Sequence, residues 1–421
     1  MSNIPNIRFK GFNDPWKQRK LEDSLLELKS GLSRMLSNDD IGIPVVRANN
    51  ISNGVVDMDK DVKYWYEKDP QGAKTENYLV EKGDILINFI NSEAKMGTAA
   101  LIQEKMNRKT IFTTNILRAR INDNYDKNFY FQLTFTEKYR NDIKIITKPA
   151  VNQASFTTVD YKNLIYYFPI KDEQMKIGRF LYKIDNLITL HQSKCDELKE
   201  LKKYMLQKFF PKKDCNIPEI RFNGYTEPWE QRKLGDIGTT FTGLSGKTKE
   251  DFGHGNAKFI TYMNVFSNPI ADLEMVESIE IDLKQNCVRR GDVFFTTSSE
   301  TPEEVGMSCV MPENAENIYL NSFCFGYRPS IIFDLNYLAY VLRAKSFRSN
   351  MIFLAQGISR YNISKNKVMD VEIPVSSLAE QNKVGSYFRN LDNLITLHQR
   401  KCDELKEMKK YMLSNMFPKG E

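Results

Sequence analysis

The segment Asp185–Leu206, DNLITLHQSKCDELKELKKYML, returns at Asp392–Leu413 as DNLITLHQRKCDELKEMKKYML, with changes only at Ser193/Arg400 and Leu201/Met408. A second echo pairs Pro5-Asn6-Ile7-Arg8-Phe9 with Pro218-Glu219-Ile220-Arg221-Phe222, and WKQRKL from Trp16 with WEQRKL from Trp229. Self-similarity of this kind makes the chain a tandem duplication, so both copies have to fold on one plan. Between the repeated pieces the two copies diverge almost completely. The repeats therefore form a shared frame, and the intervening segments are two different inserts carried on it.

The chain of 421 residues, 41% hydrophobic and 27% charged, is long enough for two cores of ordinary size and too apolar for disorder. A net charge of +6 permits an anionic partner without demanding one, because acids are interspersed among the bases. The cysteines at 195, 215, 287, 309, 324 and 402 contain no Cys-x-x-Cys pair. No signal-like or membrane-length apolar run is present, which points to a reducing cytoplasm and no membrane partner.

The repeated segments predict helices. From Glu173 to Phe209 there is no proline, and apolar or semi-apolar residues recur at Ile177, Leu181, Ile184, Ile188, His191, Cys195, Leu198, Met205 and Phe209, with Lys202 in the remaining slot. The twin carries Val384, Phe388, Leu391, Ile395, His398, Cys402, Leu405, Met412 and Met416, with Lys409 in that slot. This alternation of four and three is a coiled-coil seam sustained over roughly five heptads. Ser377-Leu378-Ala379-Glu380 reads as a capping box, Asp172 can cap the first helix, and Pro211 and Pro418 close the ends. At about 1.5 Å per residue, a helix from Gln174 to Phe209 would run about 54 Å.

Only a few residues separate the first helix from the second copy of the Pro-x-Ile-Arg-Phe frame, so the second insert must start at that helix's C-terminal end. To pair its seam with the first, the second helix has to run back, antiparallel. A pseudo-two-fold axis near residue 193 would set Ile188 against Leu405, His191 against Cys402, Cys195 against His398, and Lys202 against Leu391. Two His and two Cys would then meet, either as a zinc-like ligand set or as a polar layer that fixes register; the second is preferred, because each helix supplies only an i, i+4 pair.

Both inserts read as short strands and loops. The first offers Ile43–Arg47, Gly83–Asn88 and Ile116–Arg120; the second offers Phe259–Thr261, Gly291–Phe295 and Cys324–Tyr327. Polar clusters follow: Asn88, Asn91, Ser92 and Lys95 in one, Thr296, Thr297, Ser298 and Ser299 in the other. Asn152-Gln153-Ala154-Ser155 and Gly357-Ile358-Ser359-Arg360 lie near the ends; Arg47 closes the first strand of the first insert with Asn49 just beyond, and Tyr262 and Asn264 follow the first strand of the second. Such side chains hydrogen-bond base edges or neutralise phosphates; they also populate ordinary turns. The candidate DNA-binding residues are therefore Arg47, Asn49, Asn88, Asn91, Ser92, Lys95, Gln153, Ser155, Tyr262, Asn264, Thr296, Thr297, Ser298, Ser299, Ser359 and Arg360.

Taken together, the Trp-x-x-x-x-Leu entries (Trp16 to Leu21, Trp229 to Leu234), the Gly-Asp strands, the Pro169/Glu173-Gln174 and Pro374/Glu380-Gln381 runs, and long helices ending in Phe-Pro resemble the specificity subunits of type I restriction-modification systems. The likeness spans nearly the whole chain. It implies an α/β fold class: two mixed α/β target-recognition domains held apart by two long helices in an antiparallel coiled coil, a pseudo-two-fold tandem duplication. The expected divisions are 1–170 and 218–375 for the recognition domains, 171–210 and 376–417 for the spacer helices, and 211–217 for the linker. The resemblance further implies that each domain reads one half of a bipartite, asymmetric site in double-stranded DNA. Partners would be two methyltransferase subunits and two ATP-driven restriction subunits; S-adenosylmethionine, ATP and Mg2+ would belong to them, with no cofactor bound by this chain. One departure is that the seam cysteines Cys195 and Cys402 are smaller than the leucine expected there. About 54 Å of helix also matches roughly 16 base pairs at about 3.4 Å each, enough to reach separate major grooves.

Enzymatic readings are weaker. Gly243-Leu244-Ser245-Gly246-Lys247-Thr248 fails the phosphate-loop spacing, because Phe241 stands where glycine is required. Asp84, Glu93 and Lys95 have a nuclease-like order that could hold a metal at a cleaved phosphate, but the second copy offers Pro302 in place of the lysine. No methyltransferase motif is present, and the only histidines are His191, His254 and His398. A non-catalytic DNA-recognition subunit is the expected function; a metal-dependent nuclease and a coiled-coil scaffold without DNA contact are the alternatives.

Overall fold

A computed structural model describes residues 4–150, 153–212 and 214–418. Two long helices, Lys171–Lys208 and Leu378–Met416, match the repeated segments. The chain divides into two compact units, one of residues 1–191 with 400–421, the other of residues 192–399, so each unit takes a stretch of both long helices.

In the first unit, a four-stranded antiparallel sheet runs in the order Leu25–Ser30, Ile116–Ile121, Ile85–Asn88, Ala99–Leu101. A three-stranded sheet places Ile111–Phe112 parallel to Ile43–Val46, which pairs antiparallel with Lys63–Trp65. Strands Lys17–Lys20 and Ile165–Phe168 zip the insert's entry to its exit. The second unit repeats this plan with Gly238–Thr242, Cys324–Pro329, Val293–Thr296 and Ser308–Val310, with Ile318–Leu320 parallel to Phe252–Ile260, and with Glu230–Lys233 zipped to Glu372–Val375. All six strands expected from sequence are present; five have ends shifted by a residue or two, the usual uncertainty of such boundaries, whereas the strand expected at Phe259–Thr261 starts at Phe252, seven residues earlier.

Within each unit, opposite ends of the two long helices meet. In the first, Ile177, Leu181, Ile184 and Ile188 share a core with Leu405, Met412, Leu413 and Met416. In the second, Leu198, Met205 and Phe209 share one with Val384, Phe388, Leu391 and Ile395. The pairing is antiparallel, as the short linker required. Its register lies within a residue of expectation: Lys202 Nζ meets Asp392 at 2.6 Å instead of Leu391, and Lys409 Nζ meets Asp185 at 2.6 Å. The lysines interrupting each seam thus form cross-helix ion pairs. Cys195 and Cys402 are fully buried, their Sγ atoms 3.9 Å from the Ile395 carbonyl and 3.8 Å from the Ile188 carbonyl. A thiol suits this place because its small sulfur sits against the facing helix backbone, where leucine would be crowded.

The repeated motifs explain themselves as a frame. Arg8 forms a two-pronged bond to Glu173 at 2.8 and 2.7 Å, and Arg221 one to Glu380 at 2.6 and 2.9 Å. The neighbouring glutamines tie each helix start to its insert. Gln174 donates to the Pro169 carbonyl and accepts from Asp126 N; Gln381 donates to the Ser376 carbonyl and accepts from Asp334 N. Gly178 and Gly385 lie where a Cβ would come within 2.6 Å of the Phe129 and Tyr337 backbone nitrogens, so nothing larger lets the helix approach. One capping expectation changes and one is met in half. Asp172 lies inside the first helix, which starts at Lys171; Ser377 caps the second, accepting from Glu380 N at 3.4 Å, while the Glu380 carboxylate turns to Arg221 and Trp229 instead of closing the box.

Candidate nucleic-acid interface

Each four-stranded sheet delivers its third strand into a turn that pairs with a segment about sixty residues downstream. In the first unit, Ile90–Asn91 pairs with Ala154–Ser155, and a 3-10 turn at Glu93–Lys95 follows. In the second, Ser298–Ser299 pairs with Tyr361–Asn362, and the turn is Pro302–Glu304. The two polar clusters that sequence placed apart in each insert therefore form a single hairpin-like edge. Asn91, Ser92, Lys95, Gln153 and Ser155 come together in the first unit, with Ser92, Lys95 and Gln153 exposed. Asn152 lies outside the described residues. In the second unit, exposed Ser359 and Arg360 lead straight into the paired strand.

Several candidates are not available at such an edge. Asn88 is fully buried, its amide donating to Thr98 Oγ1 at 2.8 Å and to the Ala48 carbonyl at 3.4 Å. Asn264 is fully buried and donates to the Asp272 and Met275 carbonyls at 2.6 and 2.9 Å. Thr296 is fully buried and accepts from Met307 N at 3.0 Å. Ser298 and Ser299 are buried in the paired strand, and Thr297 donates to the Phe323 carbonyl at 2.8 Å. Reaching a base would strand these internal partners, which costs about 1 to 3 kcal/mol each. Their side chains are engaged within the fold: Asn88, Thr296, Ser298 and Ser299 on strands buried on both faces, where alternation marks no outer side, Thr297 between two of those strands, and Asn264 on the short helix Tyr262–Ser267.

Others are accessible but already engaged. Arg47 ion-pairs with Asp61, whose carboxyl is held below the usual range by that hydrogen bond, and Asn49 donates to the same carboxylate at 3.3 Å. Tyr262 is half-buried, its hydroxyl donating to the Ser298 carbonyl at 2.7 Å; burial pushes the phenol pKa up.

The nuclease-like trio is separated by its bonding. Asp84 is buried and receives Arg120 Nε at 2.8 Å, just as buried Asp292 receives Arg328 Nε at 2.7 Å in the other unit. The aspartates of the Gly-Asp motifs are thus sheet braces in both copies. Lys247 of the phosphate-loop lookalike is paired with Asp282 at 2.8 Å. Among the described residues no group of three or more His, Cys, Asp or Glu is arranged to hold a metal ion, and no helix is long and apolar enough to cross a membrane.

A second feature escaped the periodicity argument. Outside the seam, Leu187, Leu190, Leu201 and Tyr204 are exposed on the first helix, and Leu394, Leu397, Met408 and Tyr411 are exposed at the matching positions of the second. A seam alone does not require matching outward residues. Their repetition in the sequence was the signal that the outward faces of the two helices match.

These features define a duplicated specificity protein: two related mixed α/β units, each with a divergent polar edge, on a repeated helical frame. The chain belongs to the type I restriction-modification DNA specificity domain family, whose model matches residues 13–200 and again 226–407. It is 26% identical to a protein of Methanocaldococcus jannaschii named as a putative type I restriction enzyme MjaX specificity subunit, over 95% of this chain and 92% of that one. It is 24% identical to the type I restriction enzyme MjaVIII specificity subunit of the same organism, over 80% of this chain and 78% of that one. The fold resembles the crystal structure of a type I restriction-modification system S subunit from M. genitalium, with a TM-score of 0.62 at 14% identity, covering 99% of this chain and 100% of that one.

Proposed function

We propose that this chain is the sequence-specific DNA-recognition subunit of a type I restriction-modification complex and catalyses nothing by itself. Each unit reads one half of a bipartite, asymmetric duplex target through its hairpin edge, and the two long helices set the interval between the half-sites. The reading is carried by one observation: two copies of a fold whose internal braces coincide, while their exposed edges differ. Identical edges would suit a palindrome; unlike edges suit unlike half-sites.

The accessible reading set is Arg47, Asn49, Asn91, Ser92, Lys95, Gln153 and Ser155 in the first unit, and Ser359 and Arg360 in the second. The repeated outward stripe of the helices supports docking of two copies of one partner, a methyltransferase subunit, with two restriction subunits completing the assembly in the cytoplasm. S-adenosylmethionine, ATP and Mg2+ belong to those partners. The engagement of Asp84 by Arg120 counts against a nuclease.

The test is co-expression with the cognate methyltransferase and genome-wide mapping of methylated adenines. One asymmetric motif with two defined blocks around an unspecified gap is expected, and replacing residues 16–169 by another reader should change one block only. A contiguous palindrome, or no motif, would refute the assignment.

A further inference from the structure

Helices Glu137–Ile146 and Lys345–Leu354 occupy equivalent places in the two units. Both have 10 residues, and each follows a helix of 7, Lys127–Leu133 or Leu335–Val341. Each leads by a β-bridge, Lys148↔Ser155 or Gln356↔Asn362, into the hairpin edge. Their inner faces agree: Tyr139 and Ile143 are buried in one, Phe347 and Met351 in the other. The outward series that begins on each helix and continues just past its end does not agree: Arg140 and Lys144 lie one turn apart, whereas Lys148 follows the helix, after the extended Thr147. The series reads Arg140, Lys144, Lys148 in the first unit and Arg348, Ile352, Gln356 in the second.

Arg348 is turned inward. Its guanidinium donates to the carbonyls of Gly306, Glu303 and Val305 at 2.7, 2.8 and 2.7 Å, so that it closes the turn beside it. Arg140, Lys144 and Lys148 are all exposed, and none makes an ion pair among the described residues. Arg140 and Lys144 line a cleft of about 990 Å³ whose other wall includes Glu93, Ala94 and Met96, the turn directly after Asn91-Ser92. Lys95 belongs to that turn, and Lys148 sits between the lining residues Thr147 and Pro149. Glu93 and Glu137 also line the cleft and balance Arg140 and Lys144 there; the excess of cations on this edge comes from Lys95 and Lys148 beside it.

A cation near a helix C-terminus can simply complement the helix dipole. Two cations one turn apart on the helix and a third just past its end, at the bridge to Ser155, form a run of like charge able to neutralise phosphates of a duplex lying on that edge. We propose that Arg140, Lys144 and Lys148 form a phosphate-binding edge in the first unit, which the second unit lacks at its equivalent helix. This rests on the chain's reading as a DNA-recognition subunit. Binding is then asymmetric in kind: the first unit grips the backbone beside its half-site, and the second relies on other contacts.

The test measures affinity against salt, using the full chain assembled with its methyltransferase subunits and a duplex carrying the mapped methylation motif. Combined Arg140→Gln, Lys144→Gln and Lys148→Gln substitutions should leave the preferred sequence unchanged. They should make log K against log salt shallower by about 2.7, at about 0.9 per lost phosphate contact. Gln356→Ala should leave the slope unchanged. A folded triple variant with the wild-type slope overturns the proposal, as does one whose only defect is weaker association with methyltransferase subunits in the absence of DNA. Should the triple variant fail to fold, Lys144→Gln and Lys148→Gln singly should each lower the slope by about 0.9, and unchanged slopes in both would be equally damaging. A wild-type complex without sequence-dependent DNA binding brings down the underlying functional reading, an outcome distinct from any change between variants.

Discussion

The frame and the hairpin edges of the two units behave oppositely under duplication. In the frame, Arg8–Glu173 and Arg221–Glu380 repeat one ion pair, Asp84–Arg120 and Asp292–Arg328 repeat another, and Gly178 and Gly385 admit the same close approach. At the edges, Ser92, Lys95 and Gln153 face solvent in one unit, while Ser298 and Ser299 are buried beside exposed Ser359 and Arg360 in the other. Frame side chains satisfy one another inside the protein, so each is restrained by its partner. Edge side chains answer to something outside it and are free to differ. That contrast separates the part that specifies the fold from the part left free to differ between the units.

If the frame is one device used twice, breaking it should cost the same in either copy. Glu173→Ala leaves Arg8 without its carboxylate, and Glu380→Ala does so to Arg221 while removing the acceptor for Trp229 Nε1, which lies 2.9 Å away. Loss of one member of a pair this buried is expected to destabilise by about 3 to 5 kcal/mol. Denaturant unfolding of the two variants should show losses of similar size, slightly larger for Glu380→Ala. A silent substitution in either copy would break the equivalence.

A smaller effect tests the helices. Lys202→Met and Lys409→Met each remove a partly exposed cross-helix ion pair, but Asp392 keeps the Tyr340 hydroxyl at 2.6 Å and Asp185 keeps the Gln132 amide at 2.7 Å. The expected loss is about 1 to 2 kcal/mol, read by thermal unfolding. Equal losses would sharpen the two-fold description of the seam; a gain from either apolar replacement would show that the lysine sets register at a cost in stability.

What sequence revealed and what it hid follow from the range of the interactions. The seams were legible because a long helix repeats one local rule, and all the seam residues Ile184, Ile188, His191, Cys195, Leu198, Leu391, Ile395, His398, Cys402 and Leu405 are buried or half-buried. The strands were legible from short apolar runs. Which polar residues face outward was not, because Asn88 is satisfied by Ala48 and Thr98, and Asn264 by Asp272 and Met275, through turns that no period encodes. The cations Arg140, Lys144 and Lys148 were not singled out from sequence, because only the inward turn of Arg348 in the other unit shows that the two units differ there.

The least effect is expected where the units differ by a single charge. Backbone pairing makes Arg47 the counterpart of Thr261, since Thr113 N bonds the Val46 carbonyl at 3.0 Å as Asn321 N bonds the Ile260 carbonyl at 3.1 Å. Buried Asn50 is then the counterpart of buried Asn264, so the same turn starts with a cation in one unit and a hydroxyl in the other. Arg47 is nevertheless held by Asp61, a solvent-facing carboxylate, and an exposed pair of this kind contributes little to stability. Asp61→Asn should leave the melting temperature nearly unchanged while removing the carboxylate that neutralises Arg47, whose guanidinium keeps its bond to the residue 61 carbonyl and can meet a phosphate as an uncompensated cation. The salt slope of DNA binding should then steepen by about 0.9, with a gain in affinity of no more than several-fold at moderate salt. An unchanged slope would mean that Arg47 points away from the duplex even when uncompensated, and the charge difference between the two turns would then belong to the frame and not to recognition.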